Sequence, residues 1–247
     1  MSLSLTVLGC DGGYPGPGGA GSGYLVRTPN LSLCLDLGPG VLSRLQSHLG
    51  LAELGAVVIS HEHPDHCADL EGLAVALHFA DPPRRLPVFA PASVRAHLYF
   101  SEWPELDWHI VADGDEVEMA GVSLRFSRTD HDPETLALRL DGAGRSIGYS
   151  ADTGPDWSLD ALGPGLDLAL CEATWTRAQE GRARHLSGRQ AGALGRQARA
   201  GQLVITHRWP TIPPSPVAEE AANAFGQMVQ TACAGATYTL AGSPTGA

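Results

Sequence analysis

Lysine is absent from this chain, and its sixteen basic residues are therefore all arginine. Asp and Glu together number 27, which leaves a formal net charge of −11. A surface with this charge repels polyphosphate unless a local basic patch compensates. We therefore expect no long nucleic-acid footprint, whereas a small anionic substrate held by metal ions is compatible with the composition.

Two further features are missing, namely an apolar run of membrane-spanning length and a Cys-x-x-Cys pair. The five cysteines are scattered and odd in number, which favours small buried side chains in a reducing compartment over a disulfide framework. The first residues carry no basic leader before a strand-like pattern begins. We expect a cytoplasmic protein that does not associate with membranes.

A length of 247 residues with 43% hydrophobic content is enough to build a substantial core. No linker, repeat or charge block marks a boundary, so we expect one domain over residues 1–247. The glycine-dense segment 9–23 lacks the Gly-Lys-Ser/Thr ending of a phosphate-binding loop. It is interpreted as a flexible loop at the rim of a site.

The hydrophobic pattern predicts an α/β (α+β) layout in two halves, each with strands first and helices after. In the first half we predict helices at 41–49, 68–80 and 92–100, and strands at 3–8, 24–27, 31–36, 56–60 and 86–90. In the second half we predict helices at 188–200 and 217–229, and strands at 116–119, 122–129, 135–140, 146–150, 167–171, 203–206 and 237–240.

The strongest chemical signal is Ser-His-Glu-His-Pro-Asp-His at residues 60–66, directly after an apolar run. His61 and His63 alternate along an extended segment and so point the same way. Asp65 and His66 begin the next helix and aim at an adjacent point. Imidazole and carboxylate are ligands that zinc prefers, so this loop can serve two metals. Four residues cannot fill two such sites.

The missing ligands should follow other strands, and three residues do so. His131, Asp152 and His207 each come just after a strand-like run. Because functional residues cluster on the loops at one edge of a sheet, we expect all three to face the residue 60–66 loop. A lone histidine is more often structural than functional, but seven residues that fit together reverse those odds.

This order of residues resembles that of the metallo-β-lactamase superfamily over nearly the whole chain, with His-x-His-x-Asp-His as its most specific motif. The resemblance implies a four-layer αββα sandwich with two Zn²⁺ at one sheet edge, although Mn²⁺ or Fe would suit the same donors. It implies these ligands: His61, His63 and His131 for the first metal, Asp65, His66 and His207 for the second, and Asp152 as the bridge. True β-lactamases place no Asp at that bridging position, so antibiotic hydrolysis is disfavoured.

A second block, Cys-Glu-Ala-Thr-Trp at 171–175 followed by His-Leu-Ser at 185–187, looks like two segments of the ribonuclease Z branch. That likeness implies phosphodiester cleavage, in which His185 protonates or stabilises the leaving oxygen and Glu172 orients His185. The segments are similar to those of short members, some of them atypical class II cyclic-nucleotide phosphodiesterases. Only twenty residues separate His131 from Asp152, which leaves no room for a tRNA-gripping arm.

We therefore predict a zinc-dependent hydrolase that acts on a small phosphodiester such as a cyclic nucleotide. The hypothesis is a hydroxide shared by the two metals and oriented by Asp65. A thioester or lactone hydrolase, a ribonuclease Z-like nuclease on short RNA ends, and a non-catalytic metal-binding protein are the alternatives. Relatives of this kind suggest a homodimer.

Three residues have two interpretations each. Asp36 either supports the His61 loop or forms a turn, and Arg208 and Trp209 either line the pocket or pack.

Overall fold

The computed structural model describes residues 2–242 and contains two seven-stranded sheets that pack face to face. The first sheet has the order β14-β1-β2-β3-β4-β5-β6. Its strands are β1 Ser2–Gly9, β2 Gly23–Arg27, β3 Ser32–Leu35, β4 Ala56–Val58, β5 Leu86–Ala90, β6 Leu106–Ile110 and β14 Thr237–Ala241. From β3 to β6 neighbouring strands run parallel.

The second sheet has the order β13-β12-β11-β10-β9-β8-β7. Its strands are β7 Glu116–Met119, β8 Val122–Arg128, β9 Leu136–Gly142, β10 Arg145–Tyr149, β11 Leu168–Glu172, β12 Leu203–Thr206 and β13 Gln230–Thr231. The helices are α1 Val41–Leu45, α2 Pro64–Cys67, α3 Asp69–His78, α4 Ala92–His97, α5 Gly188–Gln197 and α6 Pro214–Phe225.

Alternation along the strands creates the core between the sheets. In β8, Val122, Leu124 and Phe126 are buried, whereas the residues between them are partly exposed. They pack with Leu5 and Tyr24 of the first sheet in one continuous cluster. Burial of each such aliphatic or aromatic side chain stabilises the fold by roughly 1.5–3 kcal/mol. The two sheets therefore share a single inner core.

Helices cover the two outer faces. The outer face of the first sheet packs against apolar side chains of α1 and α3, including Leu45 and Leu73. The outer face of the second packs against α5 and α6, including Ala191 and Val217. The α/β (α+β) class and the four-layer αββα arrangement are thus confirmed, while the prediction of one domain over residues 1–247 stays a prediction.

Several predicted elements differ from the observed ones. The helix predicted at 41–49 ends at Leu45, and the one predicted at 217–229 begins at Pro214 and ends before Gly226. Proline is tolerated in a first helical turn, and Gly226 adopts the left-handed conformation that ends a helix, with φ 83°. Strands β6 and β13 were not predicted.

The cysteines are only in part the small buried side chains that the composition predicts. Cys34, Cys67 and Cys171 are buried as expected, but Cys10 is half-buried and Cys233 is exposed. No helix within residues 2–242 has both the length and the apolar character needed to cross a membrane.

Candidate metal centre

Four of the predicted ligands lie in residues 61–66, where Pro64 fixes the backbone conformation. Because a residue that precedes proline is restricted to extended conformations, Pro64 keeps His63 extended, with φ −61° and ψ 138°. Pro64 also starts helix α2, whose first turn carries Asp65 and whose last turn carries His66. The change from extended backbone to helix within residues 61–66 therefore directs these side chains toward two neighbouring points.

Four of the predicted ligands form one group. His63 Nδ1 lies 3.0 Å from His61 Nε2 and 3.4 Å from His131 Nε2. Asp152 Oδ2 lies 3.7 Å from His61 Nε2 and 3.8 Å from His131 Nε2. All four ligand atoms fall within 4.8 Å of one another, which is a spacing that could hold one metal ion.

The remaining ligands form a second group around the other oxygen of the same carboxylate. His207 Nε2 lies 3.2 Å from Asp65 Oδ2 and 3.3 Å from Asp152 Oδ1. His66 Nε2 lies 3.5 Å from Asp65 Oδ2 and 3.3 Å from Asp152 Oδ1. Asp152 thus presents one oxygen to each group, as expected of a bridging carboxylate.

Two ligand atoms lack the hydrogen bonds that buried polar atoms normally have. His66 Nε2 and Asp152 Oδ1 are buried and lie 3.3 Å apart, but their contact lacks hydrogen-bond geometry, and neither atom has a hydrogen-bond partner among the described residues. An unsatisfied buried polar group costs roughly 1–3 kcal/mol, and a coordinated cation would satisfy both atoms. The donors are imidazole nitrogens and carboxylate oxygens, the set typical of zinc. The cluster fits a metal site.

The pKa shifts of His61, His131 and Asp152 favour ligation, whereas that of His66 opposes it. Burial lowers the pKa of His61 and that of His131, which keeps both imidazoles neutral near pH 7. Burial alone would raise the pKa of Asp152, but the neighbouring His207 and His66 lower it overall. Metal ligands must be deprotonated to bind, so these three shifts favour the ligating forms. Burial also opposes protonation of His66, but Asp152, Asp65 and Asp36 raise its pKa overall, so this imidazole loses a proton when a metal binds.

Asp36, at the end of β3, ties the ligand loop to both sheets. Its carboxylate accepts hydrogen bonds from Ser60 N at 2.7 Å, Ser60 Oγ at 2.9 Å and Tyr149 OH at 2.6 Å. It also contacts His66 Nδ1 at 2.7 Å, which leaves His66 Nε2 to face the centre. The first interpretation of Asp36, support for the ligand loop, describes these contacts better than a turn alone.

The Glu172 carboxylate is fully buried and organises the second predicted block. Its Oε1 accepts from Thr153 N at 2.7 Å and contacts His185 Nδ1 at 2.9 Å. Its Oε2 accepts from Thr174 Oγ1 at 2.8 Å and from Leu186 N at 3.1 Å. Because Glu172 engages Nδ1, Nε2 is the ring nitrogen of His185 that remains for a ligand or substrate.

His185 lies at the open side of the centre, with 17% of its side chain exposed. Burial opposes its protonation, but the Glu172 carboxylate raises the pKa of His185 to about 9. The histidine can therefore carry a proton at neutral pH. Asp152, His185 and His207 also form a third group that could hold an ion, which makes a ligand role the alternative for His185.

The glycine-dense segment 9–23 packs directly on two ligands, a role that the sequence did not reveal. Gly13 N donates to Asp65 Oδ2 at 2.7 Å. A Cβ at Gly12 would lie 2.6 Å from the His207 carbonyl oxygen and 2.7 Å from its Nδ1, so only glycine fits there. The segment therefore supports the ligands, and its role as a flexible rim stays a prediction.

Trp209 packs against other aromatic rings, whereas Arg208 bonds to the backbone and also lines a cavity with Gly16 and Pro210. The Trp209 ring lies 5.1 Å from that of Trp175 and 5.3 Å from that of Tyr14. Arg208 Nη1 donates to Ile212 O at 3.0 Å. Four histidines outside the cluster are at least partly exposed, as expected: His48, His78, His97 and His109.

The comparisons with known proteins agree with this geometry. Residues 33–208 match a family described as beta-lactamase superfamily domain. The chain therefore belongs to the metallo-β-lactamase superfamily and is a metallo-hydrolase of that fold.

Individual relatives span most of the chain. Uncharacterized protein Rv1339 of Mycobacterium tuberculosis is 36% identical over 229 residues, which cover 87% of this chain and 82% of that protein. Ribonuclease Z of Mycobacterium bovis is 31% identical over 246 residues, with 86% and 88% covered. The crystal structure of the metallo-beta-lactamase fold protein YhfI from Bacillus subtilis superposes with a TM-score of 0.91 at 26% identity, covering 97% of this chain and 100% of that one.

Proposed function

We propose that this chain is a dinuclear zinc phosphodiesterase whose substrate is a small phosphodiester such as a cyclic nucleotide. The observation that carries the proposal is the buried Glu172 carboxylate, 2.9 Å from His185 Nδ1, beside the two ligand groups. A metal cluster alone would also serve thioester hydrolysis. An oriented, protonated histidine at its open side is what a poor alkoxide leaving group needs.

Seven residues would hold the metals: His61, His63, His131, Asp65, His66, His207 and the bridging Asp152. A bound metal pair would supply Lewis-acid activation of water and neutralisation of the phosphate charge. That neutralisation offsets the repulsion expected between an anionic substrate and a chain of net charge −11.

The chain's own groups would handle the protons. His185 would donate from Nε2 to the leaving oxygen while Glu172 stabilises its positive charge, at 2.9 Å from Nδ1. Burial would raise the pKa of Asp65, but His66 and His207 lower it overall, so this carboxylate is ionised and can accept a hydrogen bond from attacking water. Asp65 and His185 would thus act as acceptor and donor in the same site.

The test is turnover by zinc-loaded protein of bis(p-nitrophenyl) phosphate, cyclic AMP and an acyl thioester. We expect hydrolysis of both phosphodiesters, loss of activity on chelation, recovery on zinc addition, and two zinc ions per chain by elemental analysis. Mn²⁺ and Fe²⁺ reconstitution in parallel identifies the metal that supports the highest turnover. Hydrolysis of the thioester alone would replace this proposal by the acyl-transfer alternative.

The assembly and location are proposals of the same kind. We propose a homodimer in the cytoplasm that binds neither membranes nor long nucleic acids. Light scattering after size exclusion gives the mass, and a gel-shift assay with tRNA checks the absence of a nucleic-acid footprint.

A further inference from the structure

A cavity of about 460 Å³ lies directly beside the metal centre, and the phosphodiester chemistry does not use it. His63 belongs to both, since its ring lines the cavity while its Nδ1 lies 3.0 Å from His61 Nε2. Small-molecule sites typically enclose roughly 300–1,000 Å³. A group attached to a phosphate at the centre can therefore extend into this cavity.

Most of the wall is apolar, with Pro64, Cys67, Ala68 and Leu98 contributing to it. Such walls accept the faces of a planar ring, because burial of apolar surface is favourable and requires no polar partner. They offer little to a second phosphate or a sugar hydroxyl. The lining favours an aromatic group.

One polar atom of the wall lacks a donor. Glu62 Oε2 is buried and accepts no hydrogen bond from any residue within the described range 2–242. His97 Nδ1 lies 3.3 Å from it, but that nitrogen also lies 2.8 Å from Ser93 O, which takes its proton. The other carboxylate of the wall, that of Glu71, already accepts from Tyr99 N and, at 3.0 Å, from Phe100 N. Glu62 is thus the carboxylate of the wall with an unengaged oxygen, and a rotation of its partly exposed side chain would present that oxygen to a ligand.

We propose that this cavity binds the base of a nucleoside phosphodiester and selects a base that carries an exocyclic amino group, which donates to Glu62. The assignment rests on the proposed phosphodiesterase function. A base with a carbonyl in place of the amino group would set that oxygen against the carboxylate, and its neighbouring ring N–H could donate to Glu62 only if the base shifted in the cavity. Sites with buried, unpaired polar groups discriminate strongly against such analogues.

The experiment compares cyclic AMP and cyclic GMP with cyclic IMP, which differs from each by an amino group. For the zinc-loaded wild type we expect kcat/KM for at least one amino-bearing nucleotide to exceed that for cyclic IMP by about tenfold or more. Glu62→Gln, whose amide can also donate, should lose most of that preference. Glu118→Gln, which changes an exposed glutamate of β7 outside the cavity, is the matched control and should keep the preference.

Bis(p-nitrophenyl) phosphate, which has no N–H donor, is measured with every variant, together with zinc content. If the wild type hydrolyses it but treats cyclic IMP like the other nucleotides, the cavity assignment is wrong and the phosphodiesterase proposal stands. The cavity assignment is also wrong, while the phosphodiesterase proposal stands, if Glu62→Gln keeps the wild-type preference. If the wild type hydrolyses no phosphodiester, the proposed function fails and the cavity assignment fails with it.

Discussion

The role of His185 leads to the sharpest prediction. Glu172 Oε1 lies 2.9 Å from His185 Nδ1 and raises the pKa of the imidazole to about 9, so Nε2 carries a transferable proton at neutral pH. Removal of a positioned general acid typically costs a factor of about 10²–10⁴. We expect His185→Ala to lower kcat on cyclic AMP about a hundredfold or more, equivalent to at least about 2.7 kcal/mol in the barrier.

The leaving group makes the test specific. p-Nitrophenolate departs readily without a proton, so the loss on bis(p-nitrophenyl) phosphate should be much smaller than the loss on cyclic AMP. Zinc content, measured by elemental analysis, should equal that of the wild type. His48→Ala, which removes an exposed histidine, is the control and should change neither substrate's turnover.

Two results would refute this reasoning. An equal loss on both substrates would mean that His185 does not protonate the leaving oxygen. A fall in zinc content would favour the third ligand group, in which His185 joins Asp152 and His207 around an ion.

Three further changes test the surroundings of the centre. Asp152→Asn removes the charge shared by both ligand groups, so elemental analysis should find fewer than two zinc ions per chain. Two zinc ions per chain in this variant would contradict the bridging role of Asp152. Glu172→Gln removes the carboxylate that raises the pKa of His185 to about 9. The alkaline limb of the kcat–pH profile should therefore move to lower pH. A limb that does not move would exclude His185 as its source. Gly12→Ala places a Cβ 2.6 Å from the His207 carbonyl oxygen, so zinc affinity in a competition titration should fall. Unchanged affinity would mean that the glycine-dense segment shifts without moving His207.

Glu172→Gln also has a consequence for stability with a definite sign. Because the pKa of His185 in the folded chain, about 9, exceeds the ordinary value of 6.5, its protonated form stabilises the fold below about pH 6.5. That contribution is lost as the pH rises through about 9. Urea titrations of metal-free protein should show the destabilising effect of Glu172→Gln shrinking over this window, and a constant effect would point to packing alone.

Two patterns predicted strands to within one residue: short, mostly apolar runs, as in β5 and β12, and alternation of apolar and polar residues, as in β7 and β8. β7 was predicted with its observed bounds, Glu116–Met119, and β8 within one residue, because a sheet with one buried face forces apolar and polar residues to alternate. β6, Leu106–Ile110, lies at a sheet edge, and its last two residues are exposed. Its strand conformation depends on pairing with β5, which no local pattern reveals.

The ligand set was predictable for two physical reasons. Four ligands share one short loop, where strand and helix geometry fix their directions. The others follow strands, and the structure brings the ends of those strands together as expected. Contacts between distant segments were not predictable. The Asp36 carboxylate reaches Tyr149, 113 residues away, and Gly13 N reaches Asp65, 52 residues away.

Backbone strain at the centre limits which substitutions can stabilise the fold without loss of a functional side chain. Asp36, Ala151 and His207 adopt left-handed conformations with φ of 56°, 49° and 51°, and each lies at the end of a strand. Such residues cost of order 1–3 kcal/mol each, and glycine would relieve the strain. Asp36 and His207 cannot be glycine, because the first holds the ligand loop and the second is a ligand candidate. The strain is therefore inseparable from the arrangement of the side chains, and stabilising substitutions at these two positions should come at the expense of metal binding.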